Sequence, residues 1–399
     1  MTAVLSPGLL AAGDPTLATH LAVHGPLRPP APDAVADLAA AHGLTGRGGA
    51  GFPVAVKLRA VAGAAHAGRR RAVVVGNGAE GEPAAHKDAV LLARAPHLVL
   101  DGLQLVAAAT GADDAVLAVP GPVVAVLERH LAERADPVPV RLVAVPDRFL
   151  AGEESALVSV VDGGPPLPRS KRPPVRERGV AGRPSLVQNV ETLARLALLA
   201  RGDRRAAAGV LVTRHAAGLP VDVADVPLTA RLDAVLPLAT GVQAVLVGGY
   251  HGSWLTVGTA AGVTLEPAEL AGVGAALGAG VLAALPEDRC GLVETARVVG
   301  HLAEQSAGRC GPCLNGLPRI AAALQALARP GPPHPGLLAD LGRWCGLVVG
   351  RGACSHPDGS VRLVASALRV FEPELAVHAS GCCRARPGTA PFLPLGSGA

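Results

Sequence analysis

Aromatic side chains are nearly missing from this sequence, with four Phe, two Trp and one Tyr among 399 residues. Proteins that grip single-stranded nucleic acid stack bases on aromatics along a broad basic groove. With so few rings and a net charge of only +4, nucleic acid is excluded as a partner. The two dense basic runs, 69–71 and 169–178, read as solvated loops. Cysteine is missing before Cys290, which excludes a disulfide framework spread along a secreted chain. Long apolar runs are also missing. Half of the residues are apolar, but Ala, Val and Leu carry that content. The most membrane-like stretch, 270–285, falls short of the ~20 residues a span needs and is rich in Gly and Ala. The first twenty residues have no basic segment, and Asp14 and prolines interrupt their apolar run. The expectation is a soluble, cytoplasmic protein without direct membrane insertion.

What is present is an alternation of strand-like and helix-like segments. Helical patterns over about 33–41, 54–60, 87–94, 97–110, 123–133 and 153–161 alternate with Val-rich strands at 71–75, 115–119 and 140–145. This order predicts an α/β class with a mainly parallel sheet and helices on its faces. Residues 163–184 are too rich in proline for regular structure, and a loop of that length inside a domain is commonly functional. Residues 185–201 read as helix. Short strands with Gly and Pro turns from 209 to 263 suggest a small β-rich domain. From 290 onward the pattern is helical, with cysteines embedded. The Pro/Gly-rich tail after about 385 reads as mobile.

Four polar motifs punctuate the first half. GRGGAGFP at 46–53 has glycines at 46, 48 and 51, which let backbone N–H groups approach a phosphate or a flat ring. A helix precedes it, so it is not a dinucleotide fingerprint, which follows a strand. Lys57 is placed to reach a phosphate as a point charge. NGAEGEPAAHKD at 77–88 begins where a strand ends, the place where α/β sheets bind ligands. Asn77 can present donor and acceptor to a flavin edge, and Glu80 and Glu82 can accept from ribose or nicotinamide groups. GEES at 152–155 and GRPSLVQNVET at 182–192 each open a helix. Taken singly, each also reads as an ordinary turn or cap.

In order and combination, the segments GRGGAGFPVAVKL, NGAEGEPAAHKDA, AGEESAL, GRPSLVQNVETL and EQSAGRCGPCLNG resemble the family of NADH-binding flavoprotein (F-type) subunits of respiratory complex I. The resemblance spans 46–316 and implies an FMN-binding α/β domain, a small SLBB-like β-grasp domain and a C-terminal helical bundle binding a 4Fe-4S cluster. The implied boundaries are an N-terminal extension at 1–32, then 33–205, 206–265 and 285–378, with a tail at 379–399. It implies FMN held at Gly46, Arg47, Gly48, Gly51, Lys57 and Asn77. Gly152, Glu153, Glu154 and Asn189 would lie at the flavin and NADH, together with Glu80 and Glu82, and Phe52 would pack on the dinucleotide. Ala79 stands where the family has aspartate, and Gln188 where it has asparagine. Ala60 and Pro174 stand where the family stacks further phenylalanines.

The resemblance implies cluster ligands at Cys310, Cys313 and Cys354, while Ala307 occupies the position of the family's first cysteine. Cys383 is the preferred fourth ligand, with Cys382, Cys345 and His356 as alternatives. A zinc site or a decayed site of buried apolar cysteines also accommodates this set. The expected activity is electron transfer from NADH through FMN to the 4Fe-4S cluster, alongside other electron-transfer subunits or a ferredoxin-like protein. The competing expectation is an assembly, docking or ferredoxin-linked subunit that binds no NADH.

Overall fold

Runs of β-branched valine suit the half-extended backbone of a strand. In the computed structural model of the chain, which describes residues 8–169, 172–238, 240–385, 388 and 390–396, three such runs become β1 (Val73–Asn77), β2 (Asp114–Pro120) and β3 (Val140–Val145). A fourth strand, β4 (Ser185–Asn189), joins them. All pair in parallel, in the order β3-β2-β1-β4. The helices of this part are α1 (Leu17–His24), α2 (Pro32–Ala41), α3 (Val54–Ala67), α4 (Lys87–Arg94), α5 (Pro96–Thr110), α6 (Gly121–Ala132), α7 (Glu154–Val161) and α8 (Val190–Ala200). Val74 of β1 faces a core shared with α3, α5 and α8, while Val73 and Val75 face Leu157 and Val158 of α7. Cover on both faces explains why β1 is apolar without alternation.

The segment 185–201 departs from the helical expectation in its first five residues, which form β4. This strand is short and has polar residues at both ends, so its helix-like continuation masks it. Its position matters, because the chain builds outward from β1 through β2 to β3 and then returns to the other side of β1. The reversal opens a crevice at the carboxyl ends of β1 and β4.

The second sheet contains β5 (Gly209–Ala216), β6 (Asp222–Pro227), β7 (Val242–Val247), β8 (Ser253–Thr256) and β9 (Val281–Pro286), in the order β6-β5-β9-β7-β8. The central β5 and β9 are parallel and the other pairs antiparallel, a β-grasp arrangement. Short helices α9 (Leu232–Val235), α10 (Val257–Ala261) and α11 (Pro267–Gly272) lie between its strands. The fold therefore runs past the expected boundary at 265, since its middle strand is β9. Leu282 and Ala284 face one core and Val281, Ala283 and Leu285 another, so both sides of β9 are buried. That double burial accounts for the membrane-like composition of this stretch. Among the described residues, no single helix is long and apolar enough to cross a membrane.

The last part is a bundle of α12 (Gly291–Glu304), a π-helical turn at Pro312–Gly316, α13 (Leu317–Leu327), α14 (Leu337–Val348), α15 (His356–Val370) and α16 (Glu372–Ala379). It packs on the β-grasp sheet through Trp254. The indole Nε1 of Trp254 donates to Thr295 Oγ1 at 3.0 Å, and its ring meets Phe371 edge-on. The described part of the tail is not loose, contrary to the sequence reading. Leu393 is buried, and the backbone N–H groups of Phe392 and Leu393 donate to the Glu294 carboxylate at 3.0 and 3.2 Å.

Candidate functional site

The crevice between β1 and β4 is defined by two asparagines. Asn77 and Asn189 end these strands and are directly paired in register. Asn77 Nδ2 donates to Gly152 O at 2.8 Å, and its Oδ1 accepts from Ala79 N at 3.1 Å. Asn189 caps α8 by accepting from Glu191 N at 3.0 Å, and its Nδ2 donates to Asp88 Oδ2 at 2.7 Å. Both amides are thereby fixed at the mouth of the sheet.

The glycine loop closes over this mouth. Gly46 N donates to Phe52 O at 2.9 Å, and Thr45 bridges to Pro53, so residues 46–52 form a closed loop ahead of α3. A Cβ at Gly48 would sit 3.3 Å from the Asn189 Cβ, a tight contact, so glycine eases the close approach of the loop backbone to the asparagine. Gly51 has a left-handed φ of +61° and faces open space. Phe52 stands beside it with 53 % of its surface exposed. From the first turn of α3, Lys57 Nζ donates to Val187 O of β4 at 2.7 Å and pairs with Glu154 Oε1 at 2.7 Å. The elements thus bring Gly48, Gly51, Phe52, Lys57, Asn77, Gly152, Glu154 and Asn189 to one place.

Of four other residues from the sequence set, Arg47 and Glu82 are buried and Glu80 and Glu153 half-buried, all four bonded to backbone. Arg47 is buried and donates to Gly209 O, Ala207 O and Thr45 Oγ1, tying the loop to β5. Glu80 accepts from the N–H groups of Asp88 and Ala89, capping α4, and burial beside Asp88 pushes its carboxyl up to about 7. Glu82 accepts from Tyr250 N at 3.1 Å, and burial pushes it up to about 8. Glu153 caps α7 through Ser155 N and Ala156 N. Each of these side chains meets backbone groups that need partners.

Sequence reasoning missed the buried ion network beneath the site. Lys87 Nζ contacts Asp88 at 2.7 Å and Glu191 at 3.2 Å; Glu191 pairs with Arg195, and Arg195 with Asp225 of β6. Asp88 holds Asn189, so the network sets the position of that amide from the β-grasp side. Lys87, Asp88 and Glu191 lie inside the HKD and NVET segments, but their spacing gave no hint that they pair with each other.

At the bundle, Cys310 and Cys313 enter the π-helical turn with sulfurs 3.5 Å apart. Cys313 is pushed up to about 11 by burial, by the Cys310 thiol and by the charges of Cys310 and Cys354. Burial also disfavours the Cys310 thiolate, but the N–H groups of Ala353 and Cys313 outweigh it and hold that thiol below its ordinary value. Cys354 is buried, and its charge reaches the Cys313 thiol. His356 is engaged elsewhere, with Nε2 on Leu302 O at 2.8 Å and Nδ1 on His251 at 3.0 Å. Cys345, half-buried, packs against the bundle core.

Cys383 is not the fourth member. It lies with Cys290 and His378. Cys290 precedes α12, whereas Cys310 follows it, and the 14 residues of α12 separate its ends by about 21 Å. His378 contacts the carbonyl of Leu327 at the far end of α13, while Cys313 sits at the near end. The exposed Cys382 adjoins Cys383 at that remote end. A cuboidal cluster ordinarily takes four thiolates, and the residues here fit three of those positions. The glycine loop, the cation and the paired amides fit the phosphate and the flat polar ring of FMN.

The model of the Nuo51 FMN-binding domain matches residues 39–198, and that of the NADH-ubiquinone oxidoreductase-F iron-sulfur binding region matches residues 294–378. The chain belongs to the family of complex I NADH-binding flavoproteins. A second F-type subunit of the NADH-quinone oxidoreductase of Rhizobium meliloti (strain 1021) is 26 % identical over 380 residues, covering 87 % of this chain and 89 % of that protein. The F-type subunit of the Escherichia coli (strain K12) NADH-quinone oxidoreductase is 28 % identical over 385 residues, covering 86 % and 84 %. Among solved structures, a chain of NAD+-reducing NiFe hydrogenase in the H2-reduced state superimposes with a TM-score of 0.77 at 26 % identity, covering 87 % of this chain. This complex I flavoprotein homologue spans 62 % of that hydrogenase chain.

Proposed function

We propose that the protein is an electron-transfer flavoprotein, taking electrons from NADH through FMN to a 4Fe-4S cluster. The observation that carries this reading is the convergence of Asn77, Asn189, Lys57 and the glycine loop at the reversal point of the parallel sheet. FMN, when bound, accepts a hydride from NADH and releases electrons singly, and a 4Fe-4S cluster carries them onward. The chain supplies position and charge. Lys57 neutralises the phosphate, and the glycines at 48 and 51 clear the approach for the backbone. Asn77 and Asn189 orient the ring edge. Glu154 offers a carboxylate to the ribose or nicotinamide side, and Phe52 offers its exposed face to the dinucleotide. Cys310, Cys313 and Cys354 hold the cluster through three thiolates. The protein hands electrons to partner subunits or to a ferredoxin-like protein, in the cytoplasm.

A second reading rests on Phe52 standing alone. Ala60 and Pro174 supply no ring to the dinucleotide cleft, and a missing aromatic pair costs about 0.5–1.5 kcal/mol beyond its buried area. A flavin reduced by a ferredoxin-like protein rather than by NADH follows from weak dinucleotide binding. An ultraviolet–visible spectrum of anaerobically purified protein decides between them. Flavin bands that bleach on adding NADH support the main reading. Bands that bleach only with reduced ferredoxin or dithionite support the second, and a colourless protein overturns both.

A further inference from the structure

The bundle carries a second group of metal-ligating side chains, at the end remote from Cys310, Cys313 and Cys354. Cys290 Sγ lies 3.3 Å from His378 Nε2, and these two atoms and the Cys383 sulfur all lie within 4.8 Å of one another. Cys290 and His378 are each 1 % exposed, and Cys383 is half-buried. Three elements deliver them. Cys290 is the residue before α12, His378 sits in the last turn of α16, and Cys383 follows the end of that helix. The turn after α16 is pinned by Gly381 N on His378 O and by Cys382 N on Val377 O.

The imidazole is oriented for coordination. Its Nδ1 faces the carbonyl oxygen of Leu327 at 3.2 Å. A carbonyl only accepts, so Nδ1 carries the proton and Nε2 turns its lone pair toward the two sulfurs. A histidine whose second nitrogen is fixed in this way is the usual arrangement around a protein-bound metal. One turn earlier on α16, Glu374 aims Oε2 at the same point. It accepts from Cys290 Sγ at 3.0 Å and from Leu292 N at 3.2 Å, and its other oxygen accepts from Gln243. The group thus offers two thiols, one imidazole nitrogen and one carboxylate oxygen.

We propose that Cys290, His378 and Cys383 bind a structural zinc ion, with Glu374 completing the tetrahedron. Zinc–sulfur bonds of about 2.3 Å and zinc–nitrogen bonds of about 2.0–2.1 Å place tetrahedral ligand atoms about 3.5–3.8 Å apart. The separations in the group need only rotamer-scale adjustment to reach that range. Two thiolates with an imidazole favour zinc over magnesium or calcium, which prefer all-oxygen sets. Binding releases the two thiol protons. The ion ties the end of α16 to the start of α12, closing the bundle opposite the iron–sulfur group.

Elemental analysis of the full-length protein, expressed with zinc and iron and purified anaerobically, tests this. The expected result is one zinc per chain in the wild type. Cys383→Ser, at a half-buried position near the end of the chain, loses that zinc while keeping its iron and its helical circular dichroism. Cys310→Ser loses iron and keeps zinc. Glu374→Gln weakens zinc affinity about 10–100-fold in a competition with a chromophoric chelator. Replacing zinc by cobalt gives the visible bands of a tetrahedral thiolate site, which Cys383→Ser abolishes. Zinc that is unchanged in Cys383→Ser overturns the proposal. So does a wild-type protein that takes up no zinc, or one in which Cys290 and Cys383 are joined as a disulfide.

Discussion

Lys57 is the cation at the crevice between β1 and β4, and its two partners show how it is poised. The Val187 carbonyl and the Glu154 carboxylate hold its ammonium at the carboxyl edge of the sheet, partly open to solvent. Such a half-exposed pair adds about 0–1 kcal/mol to stability, so removing it leaves the fold standing. Lys57→Met is expected to keep the wild-type melting midpoint within a few degrees while retaining less than a tenth of the flavin, measured by absorbance after gel filtration. A variant that keeps its flavin would deny Lys57 its place at the phosphate. Glu82 makes the opposite case, a buried carboxyl whose charge is a burden. Burial raises its carboxyl from an ordinary value of 4.5 to about 8, against the pull of the Tyr250 N–H. Between those two values the unfolded chain has lost a proton that the folded chain keeps. Folded stability therefore declines as pH rises through that window, by up to about 1.4 kcal/mol per pH unit. Glu82→Gln removes the dependence and can still accept from Tyr250 N. Its melting midpoint is expected to pull ahead of the wild type progressively from about pH 5 to about pH 8, and to match it at more acid pH. Parallel melting curves across the range would refute the buried, protonated state.

Among the elements, the crossing of α5 and α8 carries the flavin domain. Gly102 sits where the two helices touch, and a Cβ there would lie 2.1 Å from the Leu193 carbonyl oxygen. No side chain rotates out of that contact, since the obstacle is backbone. Overpacking of this kind costs about 1–3 kcal/mol or more. Gly102→Ala is expected to lower the melting midpoint by many degrees, or to leave the protein insoluble, whereas Gly63→Ala inside α3, with nothing within 4 Å, holds or slightly raises it. The same elements show what the sequence could and could not reveal. Helices such as α4 and α5 were readable because their boundaries carry Pro96 and Gly111. Strand β4 was not, because five residues with polar ends flow directly into a helix. Strand β9 was left unassigned because an element buried on both faces loses the alternation that marks a strand. The meeting of Asn77, Lys57 and Asn189 at one crevice followed the order of motifs in the family resemblance. The backbone bonds of Arg47, Glu80, Glu82 and Glu153 were not legible, since a polar residue in a loop motif looks the same with or without a backbone partner. Cys383 failed for a geometric reason: spacing along the chain says nothing about which end of a bundle a cysteine reaches.

At the scale of the molecule, the three parts are joined by a few buried polar links. Arg47 fastens the glycine loop to β5, and Glu82 fastens the loop after β1 to the Tyr250 turn. Tyr250 in turn donates its hydroxyl to the Pro394 carbonyl, while Glu294 of α12 accepts from the N–H groups of Phe392 and Leu393. The tail is thus the outer end of a chain of contacts that runs through the β-grasp domain to the flavin loop. A chain ending at Ala385 would strip the buried Leu393 from the bundle, and full burial of one leucine contributes about 1.5–3 kcal/mol. It would also leave Glu294, which is 4 % exposed, without two of its donors. The truncated protein is expected to melt several degrees below the full chain and to exchange the Tyr250 amide hydrogen faster. Loosening at Tyr250 reaches Glu82 directly, so flavin retention should fall as well, though less than in Lys57→Met. Leu393→Ala isolates the packing part: it should lower the melting midpoint but leave exchange at Tyr250 near the wild-type rate, because the Pro394 carbonyl remains in place. If truncation and Leu393→Ala behave alike in both measurements, the tail acts only as a plug for the bundle, and the link from its carbonyl to the flavin loop carries no mechanical weight.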